Sequence, residues 1–190
     1  EVWRVGFNPG DRAFWFHPKS YIAYRGSASE WPQSFAAMIR DKKVTDIVLY
    51  GDTRPIHAEA VAEAQKSGLT IHVFEEGYMR PYWVTYERGG TNGNSRLMDM
   101  NIPKMQTALA QSDMEAPLPP GHWGDMRQHI FYGALYHWFV MFRNGDYRNF
   151  QPHRSLPVTK EFQLYVKRLL LMPLLAADRL ISTLRIRMGG

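Results

Sequence analysis

The stretch TDIVLYGDTRPIHAEAVAEAQKSGLTIHVFEEG, Thr45 to Gly77, constrains the fold more than any other part of the chain. Its first apolar run, Ile47 to Tyr50, sits between Asp46 and Gly51 and has the unbroken hydrophobicity expected of a strand buried on both faces. A helix should follow, with Thr53 as N-cap, Pro55 in the first turn and Gly68 just past the end. LTIHVF is then a second β-branched run. Strand, helix and strand within about thirty residues make a βαβ unit, in which the strands run parallel and the crossover is right-handed.

The flanking segments extend this pattern. VWRVGF, Val2 to Phe7, ends at the turn-forming NPGD and predicts an opening strand, and a short second strand is expected around Tyr21 to Tyr24. SEWPQSFAAMIRDKK offers Ser29 as an N-cap, Pro32 in the first turn, and Phe35, Ala36, Met38 and Ile39 at helical spacing. The sheet-like part ends near Leu97, after GGTNGNS (Gly89 to Ser95), which is rich in residues that tolerate positive φ. APLPPG, Ala116 to Gly121, is a proline-rich connector. Two long helices should follow, over DMRQHIFYGALYHWFVMFRN and over TKEFQLYVKRLLLMPLLAADRLISTLRIRM, the second interrupted or kinked at Pro173. The expected organisation is an α/β domain over residues 1–100 and a helical extension over 101–190.

Composition narrows what such a chain can do. The apolar fraction of 45% and the aromatic fraction of 14% argue for a folded protein, since disordered chains lack the apolar surface that offsets ordering entropy. With no cysteine, disulfides, thiolate metal sites and thiol nucleophiles are excluded, which is compatible with a reducing cytoplasm. The net charge of +5 favours an anionic partner. From Arg143 onward Lys and Arg outnumber Asp and Glu, so the basic character belongs to the C-terminal third.

Charged residues interrupt both long helices, which excludes them as membrane spans. The last segment carries Leu and Ile on one side and basic residues on the other. That suits either packing against other parts of the protein or an anionic membrane surface.

In parallel α/β sheets, ligands bind beyond the carboxyl ends of the strands. Two such ends are readable, YGDTRPIH and FEEGYMRP, and adjacent strands would gather Asp52, Arg54, His57, Glu75, Glu76 and Arg80 in one crevice. Neighbouring carboxylates repel, so one of the glutamates is a candidate to exchange protons while the other stays ionised. Each residue also has a simpler reading. The glutamates suit a solvated strand terminus, His57 a surface position, and Asp52 and Thr53 a helix cap; Arg80 suits an ordinary ion pair, and Tyr78 and its neighbours suit the core. No Walker or dinucleotide fingerprint, helical His-x-x-x-His pair or Gly-x-Ser-x-Gly element is present, so no metal or cofactor is expected. No nucleic-acid recognition module is readable either.

FNPGDRAFW, YRGSASEWP, the block VLYGDTRPIHAEAVAEAQKSGLTIHVFEEGYMRPYWVTYERGGTNGNS and RNFQPHRSLPVTKE resemble, in order and spacing, the capsule polysaccharide biosynthesis and export proteins of bacteria with lipid-anchored capsules. That resemblance implies a GT-B glycosyltransferase built of two Rossmann-like halves, with a parallel sheet in each. The implied reaction transfers β-linked Kdo, an acidic eight-carbon sugar, from CMP-Kdo to a lysophosphatidylglycerol-type acceptor at the cytoplasmic face of the inner membrane. The family's Glu/Asp-Glu/Asp-Gly element matches Glu75, Glu76 and Gly77, making Glu76 the reactive carboxylate and Glu75 its support. Asp52, Arg54, His57, Tyr78, Arg80, Asn92 and Asn94 are the expected substrate-binding residues, with Arg54 or Arg80 suited to the carboxylate of Kdo.

The resemblance also implies a second Rossmann-like half, carrying a His-Pro type element that grips the CMP phosphate, beyond a segment like RIRMGG. The 190 residues are then expected to hold the acceptor-side half without most of the donor site, and to be inactive in isolation. A non-catalytic capsule export or assembly component, in contact with other capsule assembly proteins, is the alternative. A simple CMP-binding domain is a third reading, which predicts that the 190 residues bind CMP by themselves.

Overall fold

The computed structural model of the chain describes residues 1–77, 83–112, 126–149 and 156–189. It divides into two compact units, Gly26–Trp123 and a second that joins Glu1–Arg25 to Gly124–Gly190. The connector at 116–121 lies outside the described residues.

The first of these units contains the βαβ element. Strand β3 (Asp46–Tyr50) pairs in parallel with β4 (Thr70–Glu76), with helix α3 (Pro55–Lys66) between them in the chain, and β5 (Val84–Arg88) adds to β4 antiparallel. β5 has the period-two pattern of a strand in V-T-Y-E-R, a signal the longer aromatic stretch around it obscures. α3 places Ala60 and Ala64 inward, and these small side chains let it lie close against β4. Gly68 at φ 69° closes the helix, and Leu69 N–H bonds back to the carbonyl of Ala64.

Helix α2 (Trp31–Lys42) packs on α3 and buries Trp31, Phe35 and Ile39, one residue per turn. The Trp31 indole donates to the carbonyl of Ile56 at 2.9 Å and its ring stacks on Phe35 at 5.0 Å. The N-cap of α2 is Glu30 rather than Ser29, because the chain turns one residue later than expected. The Glu30 carboxylate accepts from both the amide and the hydroxyl of Ser27 in that turn. These hydrogen bonds hold the Glu30 carboxyl below the usual carboxylate range. α3 likewise begins with Arg54 at its N-cap instead of Thr53. Helix α4 (Ile102–Ala110) closes this unit, capped by the side chain of Asn101.

The expectation that Ile47 to Tyr50 is buried on both faces is corrected by the structure. Ile47 is buried, but Val48 is 68% exposed and Tyr50 52% exposed. The cause lies in the layering. Ile47, Ile71 and Val73 share the face against which α3 packs, whereas Val48, Tyr50, Val84 and Tyr86 project from the other. On that second face the His72 ring stacks over Tyr86 and bonds both its hydroxyl and the Asp46 carboxylate. Hydrogen bonds from Thr45 and then His72 lower the Asp46 carboxyl.

The second unit contains a separate parallel pair, β1 (Arg4–Gly6) with β2 (Tyr21–Ala23), so the described residues hold two small sheets. Helix α1 (Pro9–Ala13) follows β1 and packs on the long helix α5 (Met126–Arg143). Asn8 caps α1 and donates to the Tyr136 hydroxyl of α5 at 2.7 Å. A Cβ at Gly10 would stand 2.5 Å from the Tyr136 ring, so this contact requires glycine. Helix α6 (Val158–Gly189) packs on α5 through Tyr165 and Glu161, which meet His137. α6 runs unbroken through Pro173, where an interruption or kink is expected from sequence. A proline removes one hydrogen bond of the ladder, and the leucine-rich turns on either side continue the helix across it. The chain is thus α/β, with small parallel sheets and a helical C-terminal region.

Candidate functional site

The carboxyl ends of β3 and β4 lie side by side, since the ladder pairs Tyr50 with Phe74 and continues as Gly51 N–H donates to the carbonyl of Phe74 at 2.8 Å. Gly51 has φ 74°, a left-handed conformation in which a side chain is strained. That turn sends Asp52 inward, where it is 3% exposed.

The Asp52 carboxylate does not cap α3. It accepts from the amide of Thr91 at 2.9 Å, from the Thr91 hydroxyl at 3.4 Å and from the Asn94 side chain at 3.1 Å. The segment it holds is the glycine-rich loop after β5. Gly89 at φ 96° and Asn92 at φ 51° let that loop fold back, and Thr91 ends fully buried. Gly90 is required by close approach, because a Cβ there would stand 2.6 Å from Asn94 and 3.1 Å from the Asp52 carboxylate. Asn92 donates to the Glu75 carboxylate, so a second acid from a second strand ties down the same loop. Ser95 donates to Glu87 at 2.5 Å and fixes the loop's far end to β5.

His57, in the first turn of α3, donates from Nδ1 to the carbonyl of Gly51 at 2.6 Å. A carbonyl only accepts, so the bond assigns the proton to Nδ1. Arg54 is exposed at the start of α3. Gly77 ends β4, and its amide donates to the carbonyl of Trp83 at 2.9 Å. A Cβ on Gly77 would lie 2.4 Å from that oxygen, which accounts for glycine after the two acids.

Of the residues singled out from sequence, Asp52, Glu75, Asn92 and Asn94 form one hydrogen-bonded cluster, and His57 adjoins it through Gly51. Glu76 is set apart from Glu75. Successive side chains of a strand point to opposite faces, so Glu76 is exposed on the face of Phe74 and Tyr50, opposite Val84 of β5. Tyr78 and Arg80 lie outside the described residues. Thr91 escaped the sequence reading although it is central, and its only signal was its place inside GGTNGNS. Among the described residues no group of three His, Asp or Glu side chains is placed to hold a metal ion.

Chemically, the cluster is a polar floor at the end of two parallel strands. Its buried carboxylate is spent on holding a loop, and its outlying glutamate is open to solvent.

Comparison with known proteins covers this region. The family model described as capsule polysaccharide biosynthesis protein matches residues 45–177. The capsule polysaccharide export protein KpsS of Escherichia coli is 40% identical over 93 residues, which is 49% of this chain and 24% of that protein. The capsule polysaccharide modification protein LipB of Neisseria meningitidis, in serogroups A and B, is 28% identical over 183 residues, 87% of this chain and 42% of that protein. The chain therefore spans less than half the length of these relatives. No solved structure matches it. The family match runs through β3, α3, β4 and the 89–95 loop and on into α6, and this chain belongs to the capsule polysaccharide biosynthesis protein family.

Proposed function

We propose that this chain is the acceptor-side, Rossmann-like half of a GT-B glycosyltransferase of capsule assembly, which transfers β-Kdo from CMP-Kdo to a lysophosphatidylglycerol-type lipid at the cytoplasmic face of the inner membrane. The observation that carries this reading is the position of Glu76. It is an exposed carboxylate at the carboxyl end of β4, next to the carboxyl end of β3, which leads through Asp52 into the first turn of α3 with His57, within the family-matched region. Strand ends of this kind are where α/β folds bind and transform ligands.

In this mechanism the Glu76 carboxylate attacks the anomeric carbon of Kdo as the bond to the phosphate oxygen of CMP breaks, and CMP departs with that electron pair. The acceptor hydroxyl then attacks the same carbon, Glu76 leaves, and the hydroxyl proton passes to a base. Two inversions give net retention. Glu75 supports the site by holding Asn92, which keeps the 91–94 loop against the strand ends. Asp52 and Asn94 serve the same loop, and His57 presents its ring at the start of α3. Arg54 and Arg80 are suited to pair with the Kdo carboxylate. The donor nucleotide is expected to engage mainly a second Rossmann-like half.

The test is Glu76→Gln in the complete gene product, assayed for CMP release and for glycosylation of the lipid acceptor. Loss of both with folding intact is the expected result; undiminished activity removes Glu76 from this role. A non-catalytic capsule export or assembly component is the second reading, favoured by the E. coli relative's designation as an export protein. It predicts no CMP release by the unmodified protein. A CMP-binding domain is separated from both by calorimetry on the 190 residues, which should show no CMP binding.

A further inference from the structure

Gly51 ties the first turn of α3 to the end of β4. Its amide donates to the carbonyl of Phe74 at 2.8 Å, and its carbonyl accepts from His57 Nδ1 at 2.6 Å. These two bonds hold the half-buried His57 ring at the carboxyl end of β3, one strand away from the end of β4 that carries Glu76. Nδ1 is the donor, so Nε2 is the nitrogen of the neutral ring that can take up a proton.

The retaining reaction proposed above needs a base only in its second step, when the acceptor hydroxyl displaces Glu76 from the sugar. The described residues at the strand ends offer few. Asp52 is buried and accepts from Thr91 and Asn94, and the Glu75 carboxylate accepts from Asn92. Arg54, Asn92 and Asn94 carry a guanidinium and two amides, which take up no proton near neutral pH. Imidazole is the side chain whose ordinary titration range suits this task.

We propose that His57 is the general base of the second half-reaction. The inference rests on the transferase reading and on Glu76 as its nucleophile. The acceptor oxygen bonds to the anomeric carbon, the bond from that carbon to the Glu76 oxygen breaks with its electron pair returning to the carboxylate, and the hydroxyl proton passes to His57 Nε2. The imidazolium then gives its proton to water. His57 lies at the start of α3 and Glu76 on the other face of the sheet, so an acceptor spanning the two strand ends meets both. The first half-reaction, attack of Glu76 and departure of CMP, does not involve His57.

The test uses the complete gene product with CMP-Kdo and lysophosphatidylglycerol. His57→Asn is the informative variant, because its side-chain amide can still donate to the Gly51 carbonyl while offering no basic nitrogen. Steady transfer to the lipid should fall by about 10²-fold or more, with circular dichroism unchanged. A burst on the order of one CMP per protein should survive, leaving Kdo on Glu76 as an adduct detectable by mass spectrometry of the intact protein. Azide, a nucleophile with no proton to lose, should restore CMP turnover in His57→Asn by about 10-fold or more and yield Kdo azide, without restoring transfer to the lipid. A merely structural role for His57 gives neither the burst nor the azide response. Transfer by His57→Asn within about twofold of the unmodified protein overturns the assignment, as does lost transfer without burst or azide response. The trapped adduct in Glu75→Gln but not in His57→Asn would give the role to Glu75 and overturn it too. Absence of CMP release by the unmodified protein is a different result, which defeats the transferase reading itself and this inference with it.

Discussion

Asp52, at the end of β3, holds the backbone amide of Thr91 at 2.9 Å across 39 residues of chain. Both groups are buried, and the loop between β5 and α4 is anchored to the strand ends by this bond and by Asn94 on the same carboxylate. Asp52→Ala leaves the Thr91 amide and hydroxyl without their acceptor in a site closed to water. A loss of about 2–3 kcal/mol is expected in urea unfolding, against less than about 0.5 kcal/mol for the exposed neighbour Thr53→Ala. Faster amide hydrogen exchange at Thr91 should accompany it.

The two glutamates separate in what they support. With Glu76 as the nucleophile proposed above, Glu76→Gln in the complete gene product should lower transfer by at least about 10²-fold while leaving the unfolding midpoint nearly unchanged, because Glu76 is exposed. Glu75→Ala releases Asn92 and should show first as faster hydrogen exchange over residues 91–95. Equal effects of the two substitutions on stability and on transfer would show that the strand's alternation does not divide their roles.

Around the strand ends, Gly77 and Gly90 are needed for space. Gly77→Ala brings a methyl within 2.4 Å of the Trp83 carbonyl, and Gly90→Ala brings one within 2.6 Å of Asn94. Each should cost about 1–3 kcal/mol in thermal unfolding, the range for overpacking a fixed backbone. Gly93 has nothing within 4 Å of its Cβ position, and Gly93→Ala serves as the near-neutral control.

In the second unit two tyrosines should resist ionisation. Burial, followed by the hydrogen bond with Tyr147, raises the Tyr21 hydroxyl well above the phenol range; burial and then the Asp11 charge do the same for Tyr136. Absorbance titration at alkaline pH should leave these two protonated after exposed tyrosines have ionised. A raised acid binds its proton more tightly in the folded state. Its stabilising contribution is therefore complete below the unfolded value of about 10 and is lost as pH rises from there through the folded value. Tyr136→Phe should reduce this alkaline loss.

Local information was enough for the β3, α3 and β4 elements. The apolar run of Ile47 to Tyr50, Pro55 in the first turn and Gly68 at the helix end act over a few residues, and each is where the sequence places it. The long helices α5 and α6 were legible for the same reason, apart from the continuity of α6 through Pro173. The family block was legible too, since the family match covers residues 45–177.

Which partner each polar group takes was decided only in three dimensions. Asp52 is as well suited by type to cap α3 as to hold Thr91. It holds Thr91 because Gly89, Gly90 and Asn92 bring that loop back over the strand ends. Asn8 likewise finds Tyr136, 128 residues away, only once α1 lies on α5. Periodicity assigns Glu75 and Glu76 to opposite faces of a strand, but it does not say which face a helix will cover. Packing of α3 on the Ile71 and Val73 face settled that, and so left Glu76 with Tyr50 and Phe74 on the open one. Turn and helix signals arise from a residue's immediate neighbours, whereas the choice among equivalent hydrogen-bond partners and sheet faces depends on closing long loops, which nothing in a local stretch encodes.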